Sequence, residues 1–335
     1  MEFITLLPII VSFFVTFFFI PLWIKKARAR GFLWKDMNKY ESKENVAASG
    51  GIVVVLSFVL GILIYIGVKS FLTESQDFTI ISMFALLTVI LILTIIGVID
   101  DLWGWTTGGM SKKWRLILAL FASIPIIVIN VGESTMNLPF FGVVHFGIFY
   151  PLFLIPLGIV GATTTYNFLA GFNGLETSQG ILILTFLSFV AYITGSAWLS
   201  VVGMTMVASL IAFYIFNKYP AKVFPGDSLT WSVGALIAIM AILGNFEKIA
   251  TFVFIPYFIE TALKSRGKLE KQSFGKPNKD NSLELKYNKI YGLTHLSIYI
   301  LKKIKPSKKV YEKDVVYLIN VFQLLIILIA FVIFL

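Results

Sequence analysis

The sequence predicts an all-α polytopic membrane protein of about ten transmembrane helices with both termini outside, and three observations carry that reading. Of 335 residues, 58% are hydrophobic and only 14% charged, and the mean hydropathy is +0.87, far from the composition of soluble domains. Apolar runs close to the roughly 20 residues a helix needs to cross a bilayer follow one another along the chain. Of the 28 lysines and arginines, 26 fall in loops that would share one side of the membrane, which the positive-inside rule makes the cytoplasmic side.

The spans read, in order, as residues 3–22, 50–68, 79–99, 114–131, 146–168, 180–194, 197–216, 229–243, 249–263 and 317–335. Several are short, which predicts tilted or hairpin-like helices. No basic leader precedes the first run, so a cleaved signal is not expected. The loop after the first span carries Lys25, Lys26, Arg28, Arg30, Lys35, Lys39 and Lys43. The loop after the third carries Lys112, Lys113 and Arg115, the loop after the seventh Lys218 and Lys222, and the loop after the ninth fourteen more. Only Lys69 and Lys248 lie opposite. The net charge of +10 is therefore mostly a topology signal, and nucleic acid is not an expected partner.

The chain, 1–335, reads as one integral-membrane unit whose sizeable extramembrane segment is 264–313. Within it, 268–274 and 282–287 read as two strands of a hairpin. Leu293, Leu296, Ile300, Leu301 and Ile304 then recur at helical spacing beside Lys302, Lys303 and Lys305, as in a helix lying on the membrane face. The absence of cysteine removes disulfides, iron-sulfur clusters, thiolate zinc sites and cysteine nucleophiles, and two histidines make a histidine metal cluster improbable.

Acids at membrane depth are costly, so each is a functional candidate. Asp100, Asp101, Glu176, Asp227 and Glu260 all fall toward the basic side. A secondary transporter would place its ionisable site near the midplane, with paired broken helices, a pattern the sequence lacks. Asp100 and Asp101 repel each other and end a helix whose dipole disfavours them, so a compensating cation is expected, Mg²⁺ being the natural one. In T-T-T-Y-N-F-L-A-G-F-N-G-L-E-T-S-Q-G, residues 163–180, a span dissolves into amides, hydroxyls and glycines that must line a cavity. K-V-F-P-G-D-S, 222–228, puts Asp227 and Ser228 at a helix start, as an N-cap or as part of an anion or metal site. Carboxylates, amides, glycines and cations on one membrane face suit phosphoryl transfer, which needs charge neutralisation and positioning rather than a thiol or histidine.

These residues resemble the polyprenyl-phosphate N-acetylhexosamine-1-phosphate transferases across nearly the whole chain. I-D-D-L resembles the family's double aspartate, N-F-L-A-G-F-N-G-L-E its N-x-x-x-G-x-N-G-L-E loop, and V-F-P-G-D-S its V-F-x-G-D-[ST] element, in the expected order. The A-G-F-N-G-L-E form is closer to the eukaryotic and archaeal UDP-N-acetylglucosamine:dolichyl-phosphate transferases than to the bacterial cell-wall enzymes.

The resemblance implies transfer of GlcNAc-1-phosphate from UDP-GlcNAc to a polyprenyl or dolichyl phosphate with release of UMP, the first membrane step of lipid-linked oligosaccharide assembly for N-glycosylation. Another UDP-N-acetylhexosamine, or a bacterial-type acceptor for a surface polymer, is the alternative within the class, and a lipid-linked sugar transporter the alternative outside it. It implies Mg²⁺, or Mn²⁺, on Asn167 and Asp227, with Asp100 and Asp101 positioning or deprotonating the lipid phosphate. It also implies Asn173 on uracil or ribose, Glu176 and Ser49 in the substrate site, Lys39 near the nucleotide, and Lys113 or Arg115 on phosphate. A homodimer is implied, with the active site on the cytoplasmic face of the cell membrane or endoplasmic reticulum. Two departures stand out. Ala47-Ala48-Ser49-Gly50-Gly51 replaces the eukaryotic P-E-S-Q-G, and the late loop lacks the family's histidine-arginine cluster, leaving Arg266, Lys268 and Lys271 as stand-ins on the pyrophosphate or acetamido group.

Overall fold

The computed structural model describes residues 2–42, 45–72, 78–106, 108–130, 132, 135–138 and 142–335, so Lys43 of the first basic loop lies outside the described residues. Six helices are long and apolar enough to cross a membrane. They are α1 (Glu2–Ala29), α2 (Gly51–Leu72), α3 (Phe78–Thr106), α7 (Leu175–Ile193), α8 (Ala197–Asn217) and α13 (Glu312–Phe334). The other four expected spans are short or broken. They are α4 (Lys112–Ala122) with α5 (Ile124–Val128), a π-helical turn at Tyr150–Leu154 leading into α6 (Ile155–Phe168), α9 (Asp227–Leu243), and α10 (Glu247–Val253) with α11 (Ile255–Ser265).

Proline accounts for two of the breaks. Pro125 and Pro256 each occupy the first turn of the helix segment after the interruption, where a missing N–H costs least and the ring disfavours continuation of the helix before it, while Pro156 stands where the π-helical turn passes without a gap into α6. The architecture is thus an all-α membrane bundle with broken spans among those the sequence predicts to be short, tilted or hairpin-like.

Helix α9 is the hub. Every residue from Ser228 to Ile242 is buried, the mark of a helix surrounded by others, and α2, α3, α6, α7, α8 and α10 pack against it. Seventeen residues rise about 25 Å at 1.5 Å each, less than the roughly 30 Å of bilayer hydrocarbon. The helix is therefore too short to reach both edges of the hydrocarbon core. The neighbouring helices approach through glycines: a methyl on Gly97 of α3 would lie 2.6 Å from the Ser228 nitrogen, and one on Gly234 of α9 2.7 Å from the Ala162 carbonyl oxygen of α6.

Three two-stranded antiparallel pairs complete the described fold: β1 (Leu33–Lys35) with β2 (Asn45–Ala47), β3 (Thr135–Leu138) with β4 (Gly142–His145), and β5 (Lys276–Pro277) with β6 (Leu283–Glu284). The last is a hairpin in the expected segment, but its first strand falls between the two expected ones, and only β6 lies within an expected strand. No strand forms over 268–274, a stretch that opens with left-handed backbone angles at Lys268 and Leu269 (φ +55° and +58°). Helix α12 (Leu293–Ile304) follows where its periodicity predicts it.

The segment after α11 is docked rather than loose. Leu293 N–H donates to Glu260 of α11 at 2.5 Å, Thr294 Oγ1 to the Ser273 carbonyl at 2.7 Å, and Ser273 Oγ to the Phe168 carbonyl at the end of α6 at 3.2 Å. His295 Nε2 lies 3.2 Å from the Phe274 carbonyl oxygen, inside this fold-back.

Candidate active site

The double aspartate ends up with protein partners on every oxygen. Asp100 Oδ1 accepts from the Met110 N–H at 2.6 Å, and its Oδ2 forms an ion pair with Arg115 Nε at 2.6 Å. Asp101 Oδ2 accepts from Ser49 Oγ, and its Oδ1 accepts from the Asp227 N–H at 2.8 Å. Asp101 thereby caps α9, meeting one of the N–H groups that a helix start leaves open. The turn before it needs Gly226, at φ +73°, because any Cβ would lie 2.2 Å from Asp101 Oδ2.

Ser49 is held against this corner by a backbone zip. Phe224 N–H donates to the Ala47 carbonyl at 2.8 Å, Gly50 N–H to Phe224 at 2.9 Å and Gly51 N–H to Pro225 at 2.9 Å. Side chains at either glycine would strike Val223, Phe213 or the Pro225 carbonyl at about 2.5 Å. The A-A-S-G-G segment is thus a close backbone approach, and Ser49 itself takes the uncommon φ of +53° for a residue with a side chain.

The loop between α6 and α7 supplies the second wall. Asn167 in the last turn of α6 donates its amide to Asp227 Oδ1 at 3.0 Å. Glu176, in the first turn of α7, reaches back to accept the Gly171 N–H at 2.6 Å, which fixes the loop as a closed turn. Gly171, at φ +126°, packs against the Phe274 ring, so the docked segment roofs this loop. Asn173 is buried: its N–H donates to Glu312 Oε1 at 2.7 Å and its side-chain amide to Asp36 Oδ2 at 3.1 Å.

These groups surround a cavity of about 530 Å³ whose walls include Ser49, Asp101, Asn167, Glu176 and Asp227. Trp34, Phe172, Phe224 and Phe274 give it aromatic surface, and Asp36, Asn217, Thr230 and Gln272 further polar groups. A second, apolar cavity of about 410 Å³ lies between α6, α9, α10 and α11, with Gly158, Gly161 and Thr165 on one wall and Phe254 and Phe258 on another. Its Thr165 end stands two residues from Asn167.

The other expected residues are placed as follows. Arg115 reaches the centre, with Nη1 3.7 Å from Asp227 Oδ2, whereas Lys113 is exposed two residues earlier on α4. Lys39 stands at the edge, paired with Asp36 at 3.0 Å and over the Tyr219 ring. Arg266 is exposed at the end of α11, and Lys271 is exposed over the Tyr287 ring, so neither is brought into the cavity. Gln272 and Phe274 are the residues of that segment which line it. The sequence reading passed over Asp36, Asn38 and Glu312. Of these, Asp36 and Asn38 lie in D-M-N-K, beside the lysine it did single out, and Glu312 carries no motif.

The fit of a divalent cation can be judged from the donors. Asp100 and Asp227 share one guanidinium, and Asp101 adjoins Asp227 through its backbone N–H, an excess of negative charge. Asp100 and Asp101 are taken up by N–H and hydroxyl donors, while Asp227 has the looser partners and faces the cavity with Asn167. Because the Asn167 nitrogen is turned to Asp227, its carbonyl oxygen is left for another partner. Among the described residues no group of three His, Cys, Asp or Glu could hold a metal alone. Two protein oxygens plus substrate phosphates is, however, a usual way to hold Mg²⁺, so the site fits that ion in company with a diphosphate.

Comparison with known proteins decides the family. Residues 83–245 match the glycosyl transferase family 4 model. A Saccharolobus solfataricus protein provisionally named as a UDP-N-acetylglucosamine–dolichyl-phosphate N-acetylglucosaminephosphotransferase is 34% identical over 87% of this chain and 87% of its own length. The chain belongs to glycosyl transferase family 4, the polyprenyl-phosphate N-acetylhexosamine-1-phosphate transferases. A Sulfolobus acidocaldarius protein with the same provisional name is 32% identical over 89% of the chain and 88% of its own length. A phospho-N-acetylmuramoyl-pentapeptide-transferase of Streptococcus pyogenes is 28% identical over 78% of the chain and 79% of its own length. The matched stretch of this family 4 transferase holds Asp100, Asp101, Asn167, Asn173 and Asp227, while Ser49, Asp36 and Glu312 lie outside it.

Proposed function

We propose that this transferase moves GlcNAc-1-phosphate from UDP-GlcNAc to a dolichyl-type polyprenyl phosphate, on the cytoplasmic face, releasing UMP and leaving GlcNAc-diphosphate-lipid. The observation that carries the reading is the polar cavity walled by Asp101, Asn167 and Asp227, with the Arg115 guanidinium paired to Asp227, a set of groups suited to a sugar diphosphate. A separate apolar cavity between α6, α9, α10 and α11 offers surface suited to a lipid chain. The names of the archaeal relatives support the choice of sugar and lipid.

The chemistry follows from the partners. An oxygen of the lipid phosphate attacks the sugar-bearing phosphorus, a new P–O bond forms, and the P–O bond to UMP breaks. A phosphate monoester has its second pKa near 6 and is largely dianionic at neutral pH, so the nucleophile needs no strong base. The Asp100 and Asp101 carboxylates, each held by two protein partners, act here by position: Asp100 aims Arg115, and Asp101 fixes the start of α9 and with it Asp227. Arg115 neutralises phosphate charge in a site where two anions must meet. Asn167 and Asp227 would hold Mg²⁺, which supplies charge neutralisation on the diphosphate. Asn173 meets the uracil, and Glu176 holds the loop that carries it.

The test is UMP release by purified protein in detergent with dolichyl or undecaprenyl phosphate, Mg²⁺, and UDP-GlcNAc, UDP-GalNAc or UDP-glucose in parallel. Lipid- and Mg²⁺-dependent UMP from UDP-GlcNAc is the expected result; the absence of UMP with any lipid phosphate would defeat the proposal.

A further inference from the structure

Asparagine is ambiguous at a binding site. Its carbonyl oxygen and its amide nitrogen are of similar size, one accepts and the other donates, and only its neighbours decide which end a ligand meets. Asn173 has a neighbour that settles the matter. Asp36 Oδ2 lies 3.1 Å from its side-chain nitrogen. Lys39 Nζ stands 3.0 Å from that same oxygen, and Asn38 N–H donates to Asp36 Oδ1 at 3.2 Å. A carboxylate so surrounded by donors has only lone pairs to offer, so the NH₂ end of Asn173 must face it. The carbonyl end is turned the other way, and among the described residues no hydrogen bond to it is seen.

The backbone of the same residue is fixed independently. Glu312, at the start of the last helix, accepts the Asn173 N–H at 2.7 Å and the Asn38 amide at 3.3 Å. Asn38 also donates to the Gly171 carbonyl at 3.0 Å and accepts the Gly275 N–H at 3.1 Å. Asp36 and Glu312 thus hold Asn173 by its side chain and its backbone, Asn38 ties Glu312 to the Gly171 and Gly275 segments, and the neighbouring Asp36, Met37, Gly171 and Phe172 line the polar cavity.

We propose that Asp36 is a specificity-determining positioning residue: by holding the Asn173 amide nitrogen it presents the Asn173 carbonyl oxygen as a fixed acceptor, selecting a nucleobase with a ring N–H donor, as in uracil, over one with a ring acceptor, as in cytosine. The inference rests on the reading in which Asn173 meets the base. Uracil N3–H donates to that oxygen. Cytosine N3 carries a lone pair at the same place, and a site built around a hydrogen bond rejects the partner that cannot make it far more strongly than an apolar pocket rejects a misfit. Lys39 contributes indirectly, by its charge on Asp36.

The experiment is a pair of binding isotherms, UMP and CMP, on the purified full-length protein and on two variants. In Asp36→Asn the residue at 36 can donate as well as accept, so Asn173 is free to turn over, and the ratio of UMP to CMP affinity should fall by about tenfold or more. In the double variant Asp36→Asn with Asn173→Asp the donor and acceptor are exchanged across the pair, the base again meets a fixed acceptor, and the preference for UMP should return. That variant keeps the number of charges and hydrogen bonds, and so stays informative if the single one does not fold. A purely structural Asp36 would alter both affinities alike and leave the ratio unmoved. An unchanged ratio in Asp36→Asn, or a double variant that binds UMP but without preference, overturns the inference. Failure of the unaltered protein to bind UMP overturns instead the reading of the cavity as a uridine nucleotide site.

Discussion

Gly97→Ala tests whether the double aspartate acts through the start of α9. Gly97 lies one turn before Asp100 and Asp101 on α3, and a methyl there would stand 2.6 Å from the Ser228 nitrogen and 2.7 Å from the Asp227 carbonyl carbon. Both are backbone atoms, which cannot rotate away. To reach an ordinary contact of about 3.4 Å the helices must part by about 0.8 Å, since the shortest distance is 2.6 Å. If that displacement falls on the 2.8 Å bond from the Asp227 N–H to Asp101, the bond lengthens to about 3.6 Å and is lost. A hydrogen bond to a charged group contributes roughly 1.5–3 kcal/mol, so turnover should fall about ten- to hundredfold. Overpacking of this kind also costs about 1–3 kcal/mol of stability. The assay is UMP release in detergent, with the thermal midpoint measured alongside. Gly67→Ala on α2, where nothing lies within 4 Å, is the matched control and should leave both unchanged. Turnover within twofold of the parent in a folded Gly97→Ala protein would refute the claim that this junction organises the site.

The other expectations concern individual groups. Asp227→Ala and Asn167→Ala should each lose Mg²⁺-dependent turnover by at least a hundredfold while leaving the thermal midpoint nearly unchanged, and full activity in either would dismiss them as metal ligands. Arg115→Lys should cost at least tenfold, because lysine cannot meet Asp100 and Asp227 together as the guanidinium does, whereas Lys113→Ala and Lys271→Ala should stay within about threefold in the same steady-state assay. Burial holds the His295 imidazole below its ordinary value, so the folded protein takes up fewer protons than the unfolded one below about pH 6.5. Thermal stability should therefore decline as pH falls from 6.5, and His295→Gln should flatten that decline; an identical pH profile for both proteins would remove the histidine from the account.

The three polar motifs were legible because an acid or amide at membrane depth has few other reasons to be there, and Asp100, Asp101, Asn167 and Asp227, with Ser49, meet at one corner. The spans were legible from apolar length, but their interruptions were not, although Pro125 and Pro256 were in plain view. A proline inside an apolar run signals a kink only when its position within the helix is known, and hydropathy alone does not locate helix starts. Arg266 and Lys271 illustrate a different limit. Counting charges near a site says nothing of direction, and the left-handed turn at Lys268 and Leu269 delivers Gln272 and Phe274 to the cavity instead. Glu312 was invisible for a third reason, since its partners Asn38 and Asn173 are 274 and 139 residues away and only folding brings them together.

The partners of the double aspartate alter its charge balance. Two adjacent acids at a helix C-terminus suffer both mutual repulsion and an adverse dipole, which from sequence alone calls for a metal at Asp100 and Asp101. The fold answers that need with its own groups. The N-terminus of α9 offers Asp101 an N–H and a favourable dipole, Ser49 a hydroxyl, the Met110 backbone an N–H to Asp100, and Arg115 a full positive charge. What is left less well served is Asp227, which donates its backbone N–H to one aspartate while its own carboxylate lines the cavity, with an amide at 3.0 Å and a guanidinium at 3.7 Å as donors. The double aspartate is then the foundation that sets α9 in place, and the demand for a cation passes to the residue standing on it, beside Asn167, where a diphosphate could share the ion. A metal held by Asp100 and Asp101 would have to displace four protein contacts, whereas the proposed one on Asp227 and Asn167 would displace fewer, beside the open cavity.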